Sequence, residues 1–495
     1  MAVFLGIDAG TTNIKAVLLE SDGRMVDSAC APTTVLRPFL GGCEMDMARL
    51  FEQLCTLTQT LRARNTALFE SIAGVCVAAQ GDGLFPVDSE GNPAGRAILW
   101  NDTRVHGFSD VDMDEVDAFL ESRASTALFP GALPVLLKWL HENEPATFAR
   151  IHKALHCKDW LNFKLTGVLA SDHTDFSTAG IDIFSKAHVE ELYDLLRIPA
   201  AKAMLPALNA PTDIVGTITR EAAALTGIKE GVPVAAGAID VVATALGAGL
   251  YTPGDCCTIL GTTLCNFMLI DASEVNTKDR AGSALCSVFP NRYLRVMAAN
   301  SGASTIDWAK NLLASDLNFE ELTAALENVP PGSRGILYHP YIAGERAPFR
   351  DPLACGGFYG LSASHTRFDM MRAVYEGMVL SIMDCYRALP TSRGRLYLSG
   401  GGSVSGFTCR LIAGALNREA VQLTRRELAA RGAVEIAKIA LRVEQTDYDA
   451  GEHVFLPRAD EREAFEAMYP PFVALRENMK NYWHERRLFC NEPIM

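Results

Sequence analysis

One strand–turn–strand unit occurs twice in this chain, half a chain length apart, and it limits the possible folds more than any other feature. The apolar run 3–7 leads through Gly10-Thr11-Thr12 into the apolar run 14–19. The run 257–260 leads through Gly261-Thr262-Thr263 into 264–270. Short apolar runs on both sides of a glycine turn are typical of β-hairpins. The repeat predicts two similar domains, residues 1–248 and 249–495, although two unrelated hairpins could also share this tripeptide.

Between these units, predicted strands alternate with predicted helices, which favours a mixed α/β fold. Residues 72–79 and 232–236 form short apolar runs typical of buried strands. A helix is predicted over 148–165, and another over 428–441, which follows a segment with the spacing of a capping box at 424–427. The second helix is rich in alanine and glycine, so we expect it to approach a neighbouring element closely.

The charge and the cysteine content argue against several classes of protein. The chain of 495 residues has 45 basic and 59 acidic side chains, a formal net charge of −14, which repels nucleic acids and anionic membranes. Its 13 cysteines are an odd number without a C-x-x-C pair, so neither a disulfide framework nor a zinc ribbon is expected. The first residues lack the basic segment of a secretory signal, and no apolar run is long enough for a membrane span. We therefore expect a cytoplasmic protein with no nucleic-acid or membrane partner.

Three polar glycine turns, each entered from an apolar run, are candidate phosphate sites. They are the two G-T-T turns and Ser399-Gly400-Gly401-Gly402-Ser403. Glycine lets several backbone N–H groups point into one concavity, and threonine hydroxyls add further donors. The chain has neither a P-loop motif nor a G-x-G-x-x-G fingerprint. Most single turns of this kind are plain hairpins, but three of them in one α/β protein favour phosphate binding.

Two aspartates, Asp8 and Asp240, each follow an apolar run and precede small residues. A lone aspartate at such a place is most often part of a turn or a helix cap. Phosphoryl transfer from a nucleotide, however, needs one carboxylate near Mg²⁺ and another that accepts the proton of the attacking hydroxyl. Asp8 and Asp240 are the two carboxylates best placed for these roles.

Four segments of the chain together resemble the FGGY family of carbohydrate kinases. Residues 6–15 are similar to the family's first phosphate motif, with Asn13 where serine is frequent. Residues 97–104 are similar to its I-L-W-N-D-x-R segment, and residues 344–348 to its G-E-R-x-P segment. Residues 356–376 match the second family pattern at every position. Residues 139–145 match the first pattern only in part, because the expected lysine falls at Leu136.

The resemblance implies an actin-like α/β fold, in which two RNase H-like domains flank a cleft for ATP and sugar. It implies that Asp240 is the catalytic base and that Asp8 lies near Mg²⁺, the cofactor that accompanies ATP. The implied ATP-binding positions lie on or beside the three glycine turns: Thr11, Thr12, Asn13, Lys15, Gly261, Thr262, Thr263, Gly400, Gly401, Gly402 and Ser405. FGGY enzymes are often dimers, so a homodimer is expected from the family alone.

The segment Gln80-Gly81-Asp82 indicates the class of phosphate acceptor. Glycerol kinases of the family have Arg-Glu after this glutamine, and D-xylulose kinases have histidine at the position of Asp82. A carboxylate accepts hydrogen bonds from two adjacent hydroxyls, so Asp82 suits a polyol or a ketopentose. The segment looks closest to erythritol-type polyol kinases and L-xylulose kinases. The predicted substrate-binding residues are Gln80, Gly81, Asp82, Trp100 and Asp240.

Asp102 and Arg104 belong either to the same pocket or to a structural ion pair. The predicted function is ATP-dependent phosphorylation of a hydroxyl of a small sugar or polyol, either a ketopentose of the xylulose or L-xylulose type or a polyol such as erythritol. The alternatives are a glycerol kinase-like activity, an actin-like ATPase that needs no sugar, and a sugar-responsive binding protein that has lost catalysis. The presence of Asp8 and Asp240 argues against the last of these. We expect none of the ten histidines to bind a metal.

Overall fold

Two large sheets organise the protein. The computed structural model describes residues 2–124, 126–279, 281–390, 394–443 and 453–486. Its largest sheets have six and seven strands, and each forms the centre of an α/β domain. Within the described ranges, no helix is both long and apolar enough to cross a bilayer.

The N-terminal sheet has the strand order β5-β6-β4-β1-β2-β3. Its strands are β1 (Val3–Ala9), β2 (Asn13–Glu20), β3 (Met25–Pro32), β4 (Ile72–Ala79), β5 (Ile214–Thr217) and β6 (Pro233–Ile239). Strands β1, β2 and β3 pair antiparallel, whereas β1, β4 and β6 run parallel. Every residue of β1 except Asp8 is buried, which explains its continuous apolar sequence.

The C-terminal sheet has the strand order β9-β10-β8-β7-β11-β12-β13. Its strands are β7 (Cys256–Leu260), β8 (Leu264–Asp271), β9 (Ser283–Cys286), β10 (Arg292–Ala299), β11 (Leu396–Ser399), β12 (Ala420–Gln422) and β13 (His453–Phe455). Strands β7, β8 and β10 pair antiparallel, whereas β7, β11 and β12 run parallel.

Five strands of each sheet therefore share one order and one set of directions. In the N-terminal sheet these are β3-β2-β1-β4-β6, and in the C-terminal sheet β10-β8-β7-β11-β12. The two G-T-T turns occupy equivalent places, between the first two strands of each sheet. The predicted internal duplication and the predicted RNase H-like domains are thus confirmed.

Helices cover the faces of the sheets, and short β-ribbons lie at their margins. The helices are α1 (Met47–Arg64), α2 (Thr66–Phe69), α3 (Met113–Leu120), α4 (Leu133–Asn143), α5 (Pro145–Arg150), α6 (Cys157–Thr166), α7 (His173–Phe176), α8 (Glu191–Leu195), α9 (Arg220–Thr226), α10 (Asp240–Ala248), α11 (Ala303–Leu313), α12 (Phe319–Leu326), α13 (Arg367–Arg387), α14 (Gly406–Leu416), α15 (Leu428–Ala440) and α16 (Ala459–Arg486). The short strands are Val35–Leu36, Glu44–Met45, Phe85–Val87, Ala97–Ile98, Lys153–Leu155, Ala170–Asp172, Ile181–Asp182, Ala187–His188, Ala207–Asn209, Leu337–His339 and Gly357–Tyr359.

Helices α10 and α15 join the two halves by close backbone contact. A Cβ atom at Gly432 of α15 would lie 1.8 Å from the carbonyl oxygen of Ala243 in α10. A Cβ atom at Gly6 of β1 would lie 2.2 Å from the carbonyl oxygen of Ala430 in α15. Glycine is needed where backbones approach this closely. One apolar cluster includes residues of both helices and both sheets, so the expected close approach of α15 is confirmed.

Two local predictions are wrong in part. The helix predicted over 148–165 is two helices, because α5 ends at Arg150, and Lys153–Leu155 pairs as a strand with Phe85–Val87. The helix predicted over 428–441 is present, but its capping box is not. Glu427 has a left-handed backbone (φ 59°) and makes no side-chain cap, because its carboxylate pairs with Lys15.

Candidate active site

The two predicted catalytic carboxylates lie at one edge of the N-terminal sheet. Asp8 is the next-to-last residue of β1, and Asp240 follows β6 as the first residue of α10. Both strands run parallel to β4, and Ala9 and Ile239 have the same register partner, Ala79. Parallel strands in register end at one edge of a sheet, which is where ligands bind in open α/β sheets. Asp8 and Asp240 therefore lie on either side of the end of β4.

Burial raises the pKa of three carboxyl groups at this edge toward neutrality. It raises the pKa of Asp8 to about 6, although the positive charge of Lys15 opposes the shift. It raises the pKa of Asp240 to about 7, with a further contribution from the negative charge of Asp8. It also raises the pKa of Asp82 to about 7. A carboxyl group whose pKa lies near the working pH is suited to proton transfer.

Asp82 lies on a left-handed turn that follows β4. Its φ is 56°, and that of Gly83 is 72°. A side chain at Gly83 is excluded, because its Cβ atom would lie 2.5 Å from the carbonyl oxygen of Ile98. The Oδ1 atom of Asp82 is buried and has no hydrogen-bond partner among the described residues. A strained turn thus presents a carboxylate oxygen that a ligand hydroxyl would satisfy.

Trp100 is held beside this turn by close backbone contacts. The N–H of Gly83 donates to the carbonyl of Gly131 at 2.9 Å. A Cβ atom at Gly131 would lie 1.8 Å from the carbonyl oxygen of Trp100. The indole N–H of Trp100 donates to the hydroxyl of Thr11 at 3.0 Å, and this hydroxyl donates to Oε1 of Gln80 at 2.7 Å. The structure thereby links the first phosphate turn to two predicted sugar-binding residues.

Gly81, Asp102 and Arg104, the other candidates for the predicted sugar site, contribute close packing and a buried ion pair. A Cβ atom at Gly81 would lie 2.0 Å from Cδ1 of Ile239, so position 81 has no room for a side chain in this packing. The Nη2 atom of Arg104 lies 2.8 Å from both Asp102 and Glu44. Because Asp102 and the Arg104 side chain are buried, the structure favours the structural ion pair over a pocket role.

The first glycine turn exposes a hydroxyl and lies beside an ion pair between the two halves. The N–H of Gly10 donates to the carbonyl of Asn13 at 2.9 Å and closes the turn. The side chain of Thr12 is exposed, and its hydroxyl makes no hydrogen bond with another described residue. The Nζ atom of Lys15 lies 2.7 Å from Oε2 of Glu427, which precedes α15. Lys15 therefore carries a charge close to Asp8 while it connects β2 to the C-terminal half.

A cavity of about 870 Å³ adjoins the second and third glycine turns. Its polar margin includes five predicted ATP-binding residues, Gly261, Thr262, Gly401, Gly402 and Ser405. Its apolar walls include Leu260, Ile306, Phe319, Tyr375, Val404 and Phe407. Thr263 and Gly400 are adjacent to the cavity without lining it, since Thr263 closes the second turn and Gly400 (φ 90°) packs on Leu260. Apolar walls beside backbone N–H groups suit a heterocycle that carries a phosphate chain.

Comparison with known proteins identifies the family. Residues 3–247 match the N-terminal domain of the FGGY family of carbohydrate kinases, and residues 256–441 match its C-terminal domain. The chain belongs to the FGGY family. This FGGY kinase is 28% identical to the erythritol kinase of Brucella abortus, over 89% of this chain and 87% of that protein. It is 30% identical to the L-xylulose/3-keto-L-gulonate kinase of Escherichia coli, over 77% of this chain and 76% of that protein.

A solved structure supports the same assignment. The xylulose kinase of Rhodospirillum rubrum is 27% identical and superimposes with a TM-score of 0.88, over 97% of this chain and 100% of that chain. The two-domain, actin-like fold predicted from the sequence is confirmed. The predicted enzyme class, an ATP-dependent carbohydrate kinase, is confirmed as well.

The N-terminal domain of this FGGY kinase contains a buried ionic cluster that the sequence did not predict. The Nζ atom of Lys158 contacts the carboxylate of Asp159 and lies 3.2 Å from those of Asp172 and Asp175. His156, Asp159 and Asp175 have a spacing that could hold a metal ion. The ammonium group of Lys158 already lies among these carboxylates and supplies the positive charge. Burial lowers the pKa of His156 to about 4, so this side chain is neutral.

Helices α6 and α7, which carry Lys158, Asp159 and Asp175 of this cluster, support β6, the strand that leads to Asp240. The hydroxyl of Thr174 in α7 accepts a hydrogen bond from the N–H of Ile239 at 3.0 Å. The side chain of Asn162 in α6 donates to the carbonyl of Ala236 at 2.8 Å. A Cβ atom at Gly237 would lie 3.1 Å from Cδ of Lys158. Helices α6 and α7 thus hold β6 in place up to the residue before Asp240, and the sequence contains no local signal for these contacts.

Proposed function

We propose that this FGGY kinase transfers the γ-phosphoryl group of ATP to a hydroxyl of a small neutral polyol or ketopentose, with erythritol and L-xylulose as first candidates. The observation that carries this choice is the buried, unpartnered Oδ1 atom of Asp82, on the turn that follows β4. The same sheet edge carries Asp240. One relative is named for a neutral polyol, as erythritol kinase, and another for a ketopentose and a sugar acid together, as L-xylulose/3-keto-L-gulonate kinase. We further propose domain bounds of 1–248 and 249–495.

Asp240 acts as the catalytic base in this proposal. Its carboxylate takes the proton of the acceptor hydroxyl while the hydroxyl oxygen forms a bond to the γ-phosphorus. The bond between the γ-phosphorus and the bridging oxygen breaks, and ADP leaves. A pKa of about 7 leaves a large fraction of Asp240 ionised near neutral pH. The hydrogen bond from Ile239 to Thr174 holds the strand end directly before Asp240.

The donor set at Asp8 fits Mg²⁺, which prefers oxygen ligands. Asp8 offers carboxylate oxygens beside the first glycine turn. Because burial raises the pKa of Asp8 to about 6, a nearby cation would favour its ionised form. Bound together with ATP, Mg²⁺ would offset negative charge on the phosphate oxygens. We therefore propose Asp8 as the residue that holds Mg²⁺ with the nucleotide.

ATP would bind across both domains. The adenosine would occupy the cavity that Gly401, Gly402 and Ser405 line. The phosphates would lie between the two G-T-T turns, where backbone N–H groups and the exposed hydroxyl of Thr12 are available as donors. Lys15 would place a positive charge beside the phosphates, oriented by Glu427.

The predicted sugar-binding residues favour a neutral acceptor with vicinal hydroxyls. The carboxylate of Asp82 suits two adjacent hydroxyl donors, and together with Asp240 it would repel a sugar acid. Position 81 packs against Ile239 without a side chain, so it lacks the arginine that glycerol kinases of the family carry there. Because glycerol also has vicinal hydroxyls, it is the absent arginine that supports a larger polyol or a ketopentose over glycerol.

The net charge of −14 supports the absence of nucleic-acid and anionic-membrane partners. A homodimer in the cytoplasm is our proposal from the family resemblance and the cysteine content.

The test is ADP release, measured with Mg-ATP and a panel of acceptors. The panel contains erythritol, other tetritols and pentitols, D- and L-xylulose, glycerol and 3-keto-L-gulonate. We expect the strongest response with one neutral polyol or pentulose. A stronger response with glycerol or with the sugar acid would refute the role given to Asp82. Steady ATP hydrolysis that no acceptor accelerates would instead favour an ATPase without a sugar substrate.

A further inference from the structure

A chain of two hydrogen bonds connects the first glycine turn to two predicted sugar-binding residues, Trp100 and Gln80. It runs from the indole N–H of Trp100 to the hydroxyl of Thr11 at 3.0 Å, and from there to Oε1 of Gln80 at 2.7 Å. Thr11 belongs to the first glycine turn, which the family resemblance assigns to ATP. The other two residues belong to the predicted sugar pocket.

The indole N–H fixes the direction of the first hydrogen bond, and the orientation of the Gln80 amide, whose Oε1 faces Thr11, fixes that of the second. An indole N–H is only a donor, so the Thr11 oxygen must accept from Trp100. A hydroxyl has a single proton, and the Thr11 hydroxyl gives it to the carbonyl oxygen of Gln80. The Thr11 side chain therefore has no proton left to donate to a phosphate oxygen. The same bond turns the NH₂ group of Gln80 away from Thr11.

The backbone on both sides holds this arrangement in place. The carbonyl of Thr11 accepts from the hydroxyl of Thr33, and the N–H of Thr33 donates to the carbonyl of Thr12 at 2.9 Å. The N–H of Gln80 donates to the carbonyl of Ala9 at 3.0 Å, one residue before the turn. The neighbouring Thr12 differs from Thr11, because its side chain is exposed and its hydroxyl makes no hydrogen bond within the described ranges.

We propose that Thr11 is a positioning residue for the sugar rather than a phosphate ligand through its side chain. Its hydroxyl orients the indole of Trp100 and the amide of Gln80, and its backbone belongs to the turn that receives the phosphates. Sugar binding and the geometry of the phosphate turn are thereby coupled through one side chain. This inference rests on the proposed function, because it needs a sugar that contacts Trp100 and Gln80.

The test compares Thr11→Val, which keeps the shape and removes the hydroxyl, with Thr11→Ser, which keeps the hydroxyl. Calorimetry measures the dissociation constants of erythritol, of L-xylulose and, separately, of Mg-ATP with the full-length protein. For Thr11→Val we expect sugar binding about 10-fold weaker, since the two neutral hydrogen bonds that orient Trp100 and Gln80 are lost, and Mg-ATP binding within about 2-fold of wild type. For Thr11→Ser we expect sugar binding within about 3-fold of wild type. Steady-state kinetics should show the same division, with a raised KM for sugar and an unchanged KM for ATP.

Two further measurements separate this role from simple loss of structure. Thr11→Val should shift the tryptophan emission of the sugar-free protein, because the indole of Trp100 loses its acceptor, and Thr11→Ser should not. Thr12→Val, whose hydroxyl is exposed, should weaken Mg-ATP binding and leave sugar binding near wild type.

The proposal is overturned if Thr11→Val weakens Mg-ATP binding and leaves sugar binding unchanged. It is also overturned if Thr11→Ser is as impaired as Thr11→Val, because the methyl group would then matter rather than the hydroxyl. If wild type binds neither sugar, the proposed acceptor class is wrong. The Mg-ATP titrations of wild type and Thr11→Val then still decide whether the Thr11 hydroxyl binds phosphate.

Discussion

Replacing Asp240 with asparagine should abolish phosphoryl transfer and at the same time stabilise the fold. The carboxylate lies below the surface at the end of β6, where burial and the charge of Asp8 raise its pKa to about 7. Its ionised form, which the proposed chemistry needs, is therefore held at a cost in folding free energy. Asparagine keeps the shape of the side chain and removes that charge.

The magnitude follows from the displaced pKa. A shift from 3.8 to about 7 is about three units, and each unit is worth about 1.4 kcal/mol. Between these two values the folded protein holds a proton that the unfolded chain has released, so the free energy of unfolding of wild type falls as the pH rises. The destabilisation is at most about 4 kcal/mol at pH 8, where the folded carboxyl group is ionised, and less than about 2 kcal/mol at pH 5, where it holds a proton that the unfolded chain releases. Because the side chain keeps some contact with solvent, we expect a gain of about 2 to 4 kcal/mol for Asp240→Asn at pH 8.

The assay is urea unfolding of the ligand-free protein at pH 5 and pH 8, with wild type, Asp240→Asn and a control. The control is Asp114→Asn, which changes an exposed carboxylate in the first turn of α3 and should alter stability by less than about 0.5 kcal/mol. Coupled ADP release and Mg-ATP binding are measured on the same samples. Asp240→Asn should lose sugar-dependent turnover and keep nearly wild-type affinity for ATP.

Two results would refute this reasoning. If Asp240→Asn is less stable than wild type at pH 8, or equally stabilised at both pH values, the carboxylate is not held ionised against burial. If the variant still phosphorylates sugar at a comparable rate, Asp240 is not the base.

Three further substitutions test the packing and the charges around the site. Gly432→Ala would place a Cβ atom 1.8 Å from the carbonyl oxygen of Ala243, so we expect urea unfolding to show a free energy of unfolding about 3 kcal/mol lower than that of wild type. An unchanged free energy of unfolding would show that the two helices separate easily. Lys158→Met leaves three buried aspartates without their cation, and we expect the free energy of unfolding to fall by about 3 to 5 kcal/mol in the same assay. An unchanged free energy of unfolding would mean that the aspartates are protonated in wild type. Lys15→Met should raise the KM for ATP about 10-fold, and Glu427→Gln less than that, because it removes only the partner of the ammonium group; equal effects would assign the role to the ion pair.

The folded structure overrode local sequence patterns at two places. Residues 148–165 have a composition that favours helix, yet Lys153–Leu155 pairs with Phe85–Val87, a partner far away in the chain. The spacing at 424–427 is that of a capping box, yet Glu427 turns to the left-handed region and pairs with Lys15. In both cases a contact between distant segments outweighs a local preference worth about 1 kcal/mol.

In the candidate site, too, the sequence predicted some features, and the fold alone decided others. The sequence placed Asp8 and Asp240 at the ends of two strands, and the parallel register with β4 brings them to one edge. It did not indicate that the Thr11 hydroxyl is bound by Trp100 and Gln80, because these residues come from three separate segments. The roles of all predicted site residues remain predictions for the experiments above.

The sequence by itself determined the duplicated α/β architecture, the three glycine turns and the family, because strand periodicity, turn composition and motif spacing are properties of short segments. Only the tertiary structure decided which segments meet. The packing of the turn at Asp82, the ionic cluster around Lys158, the backbone contact at Gly432 and the hydrogen bonds of Thr11 each depend on distances of a few ångströms between residues of different segments. Such distances are set by how the segments of one domain pack together and, at Gly432, by how the two halves pack, and no local pattern of residues encodes them.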